Sequence, residues 1–195
     1  MTAIISEKGF TLVELLTAMV PALIVLGAVT STLIMQNRSY EQQAHIVEMQ
    51  ENVRAGMQMM TRELVMAGYD PTGTIGAGIV SAGPSSVRFT MDLNGDGDVF
   101  DSNEDVTYGL DATDKQLTRK STAADTATPL AENIQALLFT YYDGNNSTTS
   151  DVGKIRRITI QLSARTRKPD RNYLGNNGYR TRTLTSDVSP RNLGL

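Results

Sequence analysis

Two stretches of this chain carry residue types that do chemistry. The first is Asp92-Leu93-Asn94-Gly95-Asp96-Gly97-Asp98. Short oxygen-bearing side chains at alternate positions converge on a hard cation, and glycine permits the sharp turn between them. The run matches the D-x-N-x-D-G opening of an EF-hand-type calcium loop, in which Asp98 offers its backbone carbonyl. Beyond it the pattern departs. The twelfth position is Asn103 in place of a bidentate glutamate, Glu104 comes one residue late and Asp101 two early. The expected calcium ligands are Asp92, Asn94, Asp96 and Asp98, with Glu104 a further candidate. The same residues also suit a polar hairpin connection built on Asn-Gly and Asp-Gly turns. Residues 92–114 hold eight acidic and no basic side chains, a repulsion that a bound cation would relieve.

The second is Glu14, the one formal charge in residues 10–35. As a helix this apolar run is roughly 39 Å long, against about 30 Å for the hydrocarbon core of a bilayer. A carboxylate at bilayer depth costs about 2.5–3.5 kcal/mol, and such residues ordinarily have a partner or a task. Near the end of a span the cost falls, so Glu14 also suits a plain position among headgroups. One apolar span behind a very short charged leader reads as a single-pass membrane protein. A secretory signal peptide is a poor fit, because its cleavage site follows the apolar core. Here the small-residue junction Gly9-Phe10 precedes it.

The motif Lys8-Gly9-Phe10-Thr11-Leu12-Val13-Glu14 resembles the processing site of type IV prepilins and of the related pseudopilins of type II secretion. The resemblance implies that a membrane-embedded prepilin peptidase cuts between Gly9 and Phe10, and that Phe10 is then N-methylated. It implies single-pass insertion in the inner membrane, then assembly at an inner-membrane platform into a fibre at the cell surface. The implied partners are other major and minor pilins, met through the N-terminal helix. Glu7 beside Lys8 departs from the basic character usual in such leaders. The charges themselves fit an assembly role. The freed amine of Phe10 and the carboxylate of Glu14, about one turn along, are each expensive alone in an apolar medium. Pairing the carboxylate of one subunit with the amine of a neighbour would select register in a helix bundle more than add stability.

Composition narrows the rest. The 195 residues leave room for one modest soluble domain beyond the apolar helix. There is no cysteine, so disulfide, iron–sulfur and thiolate zinc sites are excluded. The single histidine, His45, excludes multi-histidine metal sites. No phosphate-binding glycine motif followed by lysine is present, and no catalytic constellation emerges, so the chain reads as a non-enzyme. Residues 154–195 carry ten basic and two acidic side chains. Arg165, Arg167, Lys168, Arg171, Arg180 and Arg182, with Tyr173 and Tyr179 between them, are the residue types that grip nucleic-acid phosphates and stack bases. Neutralising the acidic loop or an acidic neighbouring subunit is the preferred reading of that tail, and nucleic acid is not an expected partner.

The elements that position these residues follow from periodicity. Ile46, Met49, Val53, Met57, Met60 and Leu64 recur at steps of three and four, one face of a helix. Gly68 and Pro71 supply a left-handed cap and a stop. A helix over residues 10–67 would be roughly 87 Å long, with Pro21 expected to kink or locally open it. Residues 72–84 read as a loop. Val87, Phe89 and Met91 alternate with polar residues as a half-buried strand, and Val106, Tyr108 and Leu110 repeat the pattern. Residues 134–142 are apolar on both phases, which predicts a central strand. Ile158, Ile160, Leu162 and Ala164 alternate again, and residues 179–188 suit one last strand. The expected fold is α+β, a long N-terminal helix on a C-terminal antiparallel sheet domain. Its parts are a leader over residues 1–9, a membrane and assembly half of the helix over 10–35, an amphipathic soluble half over 36–67 and a β-rich domain over 68–195.

Two later stretches sharpen the resemblance. Leu64-Val65-Met66-Ala67-Gly68-Tyr69-Asp70-Pro71-Thr72-Gly73 and Arg88-Phe89-Thr90-Met91-Asp92-Leu93-Asn94 are similar to PilW-like minor pilins. So are Asn133-Ile134-Gln135-Ala136-Leu137-Leu138-Phe139-Thr140-Tyr141-Tyr142 and Arg156-Arg157-Ile158-Thr159-Ile160. The implied role is a structural subunit that primes or caps pilus assembly. The alternatives are a minor pseudopilin of type II secretion with the same fold, or a calcium-dependent tip adhesin or DNA-binding pilin.

Overall fold

A computed structural model describes residues 9–193. The leader residues 1–8, Lys8 among them, lie outside the described residues. One helix, α1, runs over Leu12–Met66 and continues through Pro21, where the Thr17 carbonyl loses its usual donor. The chain divides at residue 44 into two compact units. In the first, every described side chain from residue 9 to 41 is exposed, including Phe10, Leu12, Leu23, Ile24 and Leu26.

In the second unit, α1 buries Met49, Val53, Gly56, Met57, Met60 and Leu64, the stripe that the spacing predicts with Gly56 added and Ile46 only partly buried at its start. Gly56 is the point of closest approach. A Cβ there would lie 2.8 Å from Leu117 Cδ2 and 3.3 Å from Leu162 Cδ2. The glycine therefore lets the helix backbone settle where two sheets meet. The helix ends as expected: Gly68 takes φ +81° and its N–H donates to the Thr90 carbonyl at 2.9 Å.

The first sheet is an antiparallel meander of β1 (Ile79–Ala82), β2 (Ser86–Thr90), β3 (Asp105–Asp111), β4 (Gln116–Lys120) and β5 (Thr128–Ala131), in that spatial order. Val87 faces Tyr108 and Phe89 faces Val106 across β2 and β3, all four buried. The second is an antiparallel meander of β6 (Ile134–Tyr142), β7 (Arg157–Arg165) and β8 (Thr181–Val188). Here the reading of residues 134–142 as a central strand is corrected: β6 is at one side of its sheet and β7 is the middle strand. An irregularity between Ile134 and Ala136 resets the alternation, so Ile134, Leu137, Phe139 and Tyr141 are buried while Leu138 is exposed. Apolar residues on both phases thus record a bulge, not burial on both faces. Met60, Leu64, Phe89, Tyr108, Leu117, Ile158, Ile160 and Leu162 belong to one continuous core between α1 and the sheets.

Candidate functional site

At the head of α1, Thr11 and Glu14 cap each other. The Glu14 N–H donates to Thr11 Oγ1 at 3.2 Å, and the Thr11 N–H and hydroxyl donate to Glu14 Oε2 at 3.2 and 3.0 Å. This is a capping box, which satisfies two otherwise orphaned donors of the first turn. Further along, Thr30, Ser31 and Thr32 turn their hydroxyls back onto the carbonyls of Leu26, Gly27 and Ala28. Their polarity is spent inside the helix, as an apolar surrounding demands. Gly9 and Phe10 precede the helix outside regular secondary structure and are exposed, Phe10 at 87%. By length and composition α1 is apolar enough to cross a membrane.

The acidic segment between β2 and β3 folds as a compact loop against the stretch that follows α1. The Asp92 N–H donates to the Tyr69 carbonyl at 2.7 Å and the Met91 N–H to the Glu104 carbonyl at 2.9 Å, closing the base of the loop. Asp92 is fully buried, and its two oxygens accept from the N–H groups of Gly95 and Gly97 at 2.6 and 3.1 Å. Asp98 accepts from the N–H of Phe100. Both carboxylates shape the turn. The carboxylates that do converge belong to Asp96, Asp101 and Glu104, whose oxygens come within 4.8 Å of one another. Of the expected ligand set, Asp96 and Glu104 are therefore in the cluster, while Asp92 and Asp98 lie outside it and accept from backbone N–H groups. Asn94 spans the cluster through its amide nitrogen, which donates to Asp96 Oδ2 at 2.9 Å and Asp101 Oδ2 at 2.7 Å. Asp101 was read from the sequence only as a residue two places early. Asn103 takes φ +74°, so the backbone turns sharply just before Glu104.

Beside the loop, Asp70 closes its own turn. It accepts from the Thr72 hydroxyl at 2.8 Å and from the N–H groups of Gly73, Ile75 and Gly76 at 2.7, 3.1 and 3.1 Å. Burial pushes its pKa up, and these donors together outweigh that and hold it below the ordinary value.

A third cluster was not anticipated. Glu63, next to Leu64 of the buried stripe, accepts on Oε2 from the Tyr108 hydroxyl at 2.6 Å and Arg119 Nε at 3.1 Å. Arg119 also donates to Asn103 Oδ1 at 2.9 Å, linking helix, sheet and acidic loop. Burial and the hydrogen bond to Glu63 push the Tyr108 phenol well above its ordinary range. Burial would lower Arg119, and the Glu63 carboxylate outweighs it and raises it.

Two cations of the basic tail, Arg165 and Arg180, are engaged within it. Arg180 pairs with Asp170 at 2.9 Å, Arg165 lies over the Tyr179 ring at 4.3 Å and Arg180 over Tyr173 at 5.2 Å. The two tyrosines that would stack bases thus already carry arginines of their own segment.

An apolar, exposed helical head continuing into a helix that packs on antiparallel sheets defines a type IV pilin-like fold. Among solved structures the chain is similar to a type IV-like pilin from Thermus thermophilus, at 14% identity over 74% of this chain and 98% of that one, with a TM-score of 0.52. The family model of prepilin peptidase-dependent protein B matches residues 42–188, and the chain belongs to that family. No curated protein matches it. It is a pilin-type structural protein.

Proposed function

We propose that this chain is a minor type IV pilin, PilW-like in kind, which primes or caps a fibre. It enters the inner membrane as a single-pass precursor. A prepilin peptidase cuts between Gly9 and Phe10, Phe10 is N-methylated, and an assembly platform docks the helix among major and minor pilins. The observation that carries this reading is the exposed apolar run of α1 with Glu14 near its head. Each large apolar side chain withdrawn from water contributes about 1.5–3 kcal/mol, so the run is stable only in lipid or against neighbouring helices. Glu14 then needs a partner there. In the described chain its Oε2 is held by Thr11, which fixes the carboxylate in the first turn of α1. The role is structural, not catalytic, in keeping with the family.

The test separates pilus from secretion. Deleting the gene and scoring surface fibres, twitching and type II secretion separately should abolish or reduce fibres and leave secretion intact. Loss of secretion with normal fibres would assign the chain to the pseudopilins instead. Complementing with Glu14→Ala should restore membrane insertion without restoring incorporation into fibres. Incorporation at the normal level would remove the proposed role of Glu14.

A further inference from the structure

The loop between β2 and β3 contains a buried acid without a partner on one side. Glu104 is 1% exposed. Its Oε1 accepts from the N–H groups of Leu93 and Asn94 at 2.8 and 3.3 Å, while Oε2 is buried and has no hydrogen-bond partner among the described residues. An unmade interaction on a buried carboxylate oxygen is expensive, and such atoms in folded proteins call for a counterpart. The counterpart is indicated by the two other acids within reach, Asp96 and Asp101, both exposed at the mouth of the loop. Three carboxylates this close repel one another unless a positive charge lies between them.

We propose that Asp96, Asp101 and Glu104 hold a calcium ion. Calcium takes oxygen ligands at about 2.3–2.6 Å, so two ligand oxygens on one ion are at most about 5 Å apart. The 4.8 Å limit among these three carboxylates falls within that span. The ligand set differs from the one that motif spacing suggests: Asp92 shapes the turn, and the donors come from one loop residue, one from the late half of the loop and one from the first turn into β3. The Asn94 amide already draws the Asp96 and Asp101 carboxylates to one place at the mouth of the loop, donating to both. Bound calcium joins the mouth of the loop to the buried Glu104, and through Asn103 and Arg119 to α1. Three carboxylates in a site with two exposed ligands suit the affinity range of extracellular modules, a Kd of about 10⁻⁴–10⁻³ M. That range fits a protein displayed outside the cell.

The full chain, purified in detergent and stripped with a chelator, is titrated with calcium chloride and separately with magnesium chloride by calorimetry, and its thermal unfolding is followed in each. Calcium should bind at one site with a Kd near 10⁻⁴–10⁻³ M and raise Tm. Magnesium, which demands tighter octahedral geometry, should do neither at the same concentration. Asp101→Asn, at an exposed position that folding tolerates, should lose the calcium response, as should Glu104→Gln. Asp125→Asn, an acid outside the cluster, should retain it. No heat and no Tm shift at about ten times the expected Kd would overturn the proposal. So would a normal response in Asp101→Asn, an equal response to magnesium, or an equal loss in Asp125→Asn.

Discussion

Removing the Glu63 carboxylate should weaken the seam between α1 and the first sheet. Glu63 and Arg119 side chains are 14% and 11% exposed, and the Tyr108 hydroxyl joins them at 2.6 Å. Glu63→Ala deletes two hydrogen bonds to a charged acceptor, worth about 1.5–3 kcal/mol each, and leaves a mostly buried guanidinium with Asn103 and the Tyr108 hydroxyl but no counter-charge in this cluster. Because the losses overlap and Arg119 keeps those contacts, the net cost should be about 3 kcal/mol, the low end for a broken buried pair. In a unit of this size that lowers Tm by about 6–12 °C. Glu63→Gln retains an acceptor and loses only the charge, so it should cost about 1–2 kcal/mol. Glu63→Met with Arg119→Met should recover much of the loss, since no unpaired charge remains. The assay is thermal unfolding of the full chain in detergent, followed by near-ultraviolet circular dichroism of the tyrosines, with a double-mutant cycle across Glu63 and Arg119. A Glu63→Ala shift under about 2 °C, or additive effects of the two alanine substitutions, would refute the reasoning.

Three further outcomes follow from the structure. Gly56→Ala gains helix propensity of about 1 kcal/mol but forces Leu117 and Leu162 aside. Gly56→Leu should cost about 3 kcal/mol or prevent folding, with alanine between it and the parent in a Tm series. At low pH, Asp70 contributes stability that is present above its unfolded value of 3.8 and is lost as pH falls through its lowered folded value. Asp125 and Asp151 are shifted in the same direction, so Asp70→Asn should shrink the acid-side fall in Tm without abolishing it. At high pH the sign reverses for Tyr108. Its raised pKa favours the neutral phenol in the fold, so stability is full below about 10 and declines above it. Tyr108→Phe should flatten that alkaline decline, the remainder coming from Tyr141, which burial also raises.

What the sequence revealed follows from how strongly each element is patterned. The buried stripe of α1, its glycine stop, and the alternation in β2, β3 and β7 were all readable, because each repeats an apolar residue at the element's own period. Strand β4 was not, since Leu117 is its one large apolar residue between Gln116 and Arg119. Strand β5 was hidden by Pro129, which is tolerated because that strand lies at the sheet's edge. Strand β1 lay inside a glycine- and serine-rich stretch with no visible alternation. At the sites, the motif located the acidic loop, but which acids converge depends on how the backbone turns at Gly95, Gly97 and Asn103, all at positive φ. The Thr11-x-x-Glu14 capping box is legible as a pattern, although a lone acid in an apolar run also suits a charge placed in lipid. Glu63 sits one residue before Leu64 on the border of the buried stripe, where spacing alone cannot distinguish a solvated acid from one that reaches a tyrosine across the seam.

The most direct measurement is the mass of the N-terminus of the chain isolated from its native membrane and from sheared surface fibres. Processing between Gly9 and Phe10 predicts an N-terminal peptide that begins at Phe10 and carries one added methyl group. A chain that still begins at Met1 in the fibre fraction, or one cut after the apolar run so that residues 10–35 are missing, would contradict the account.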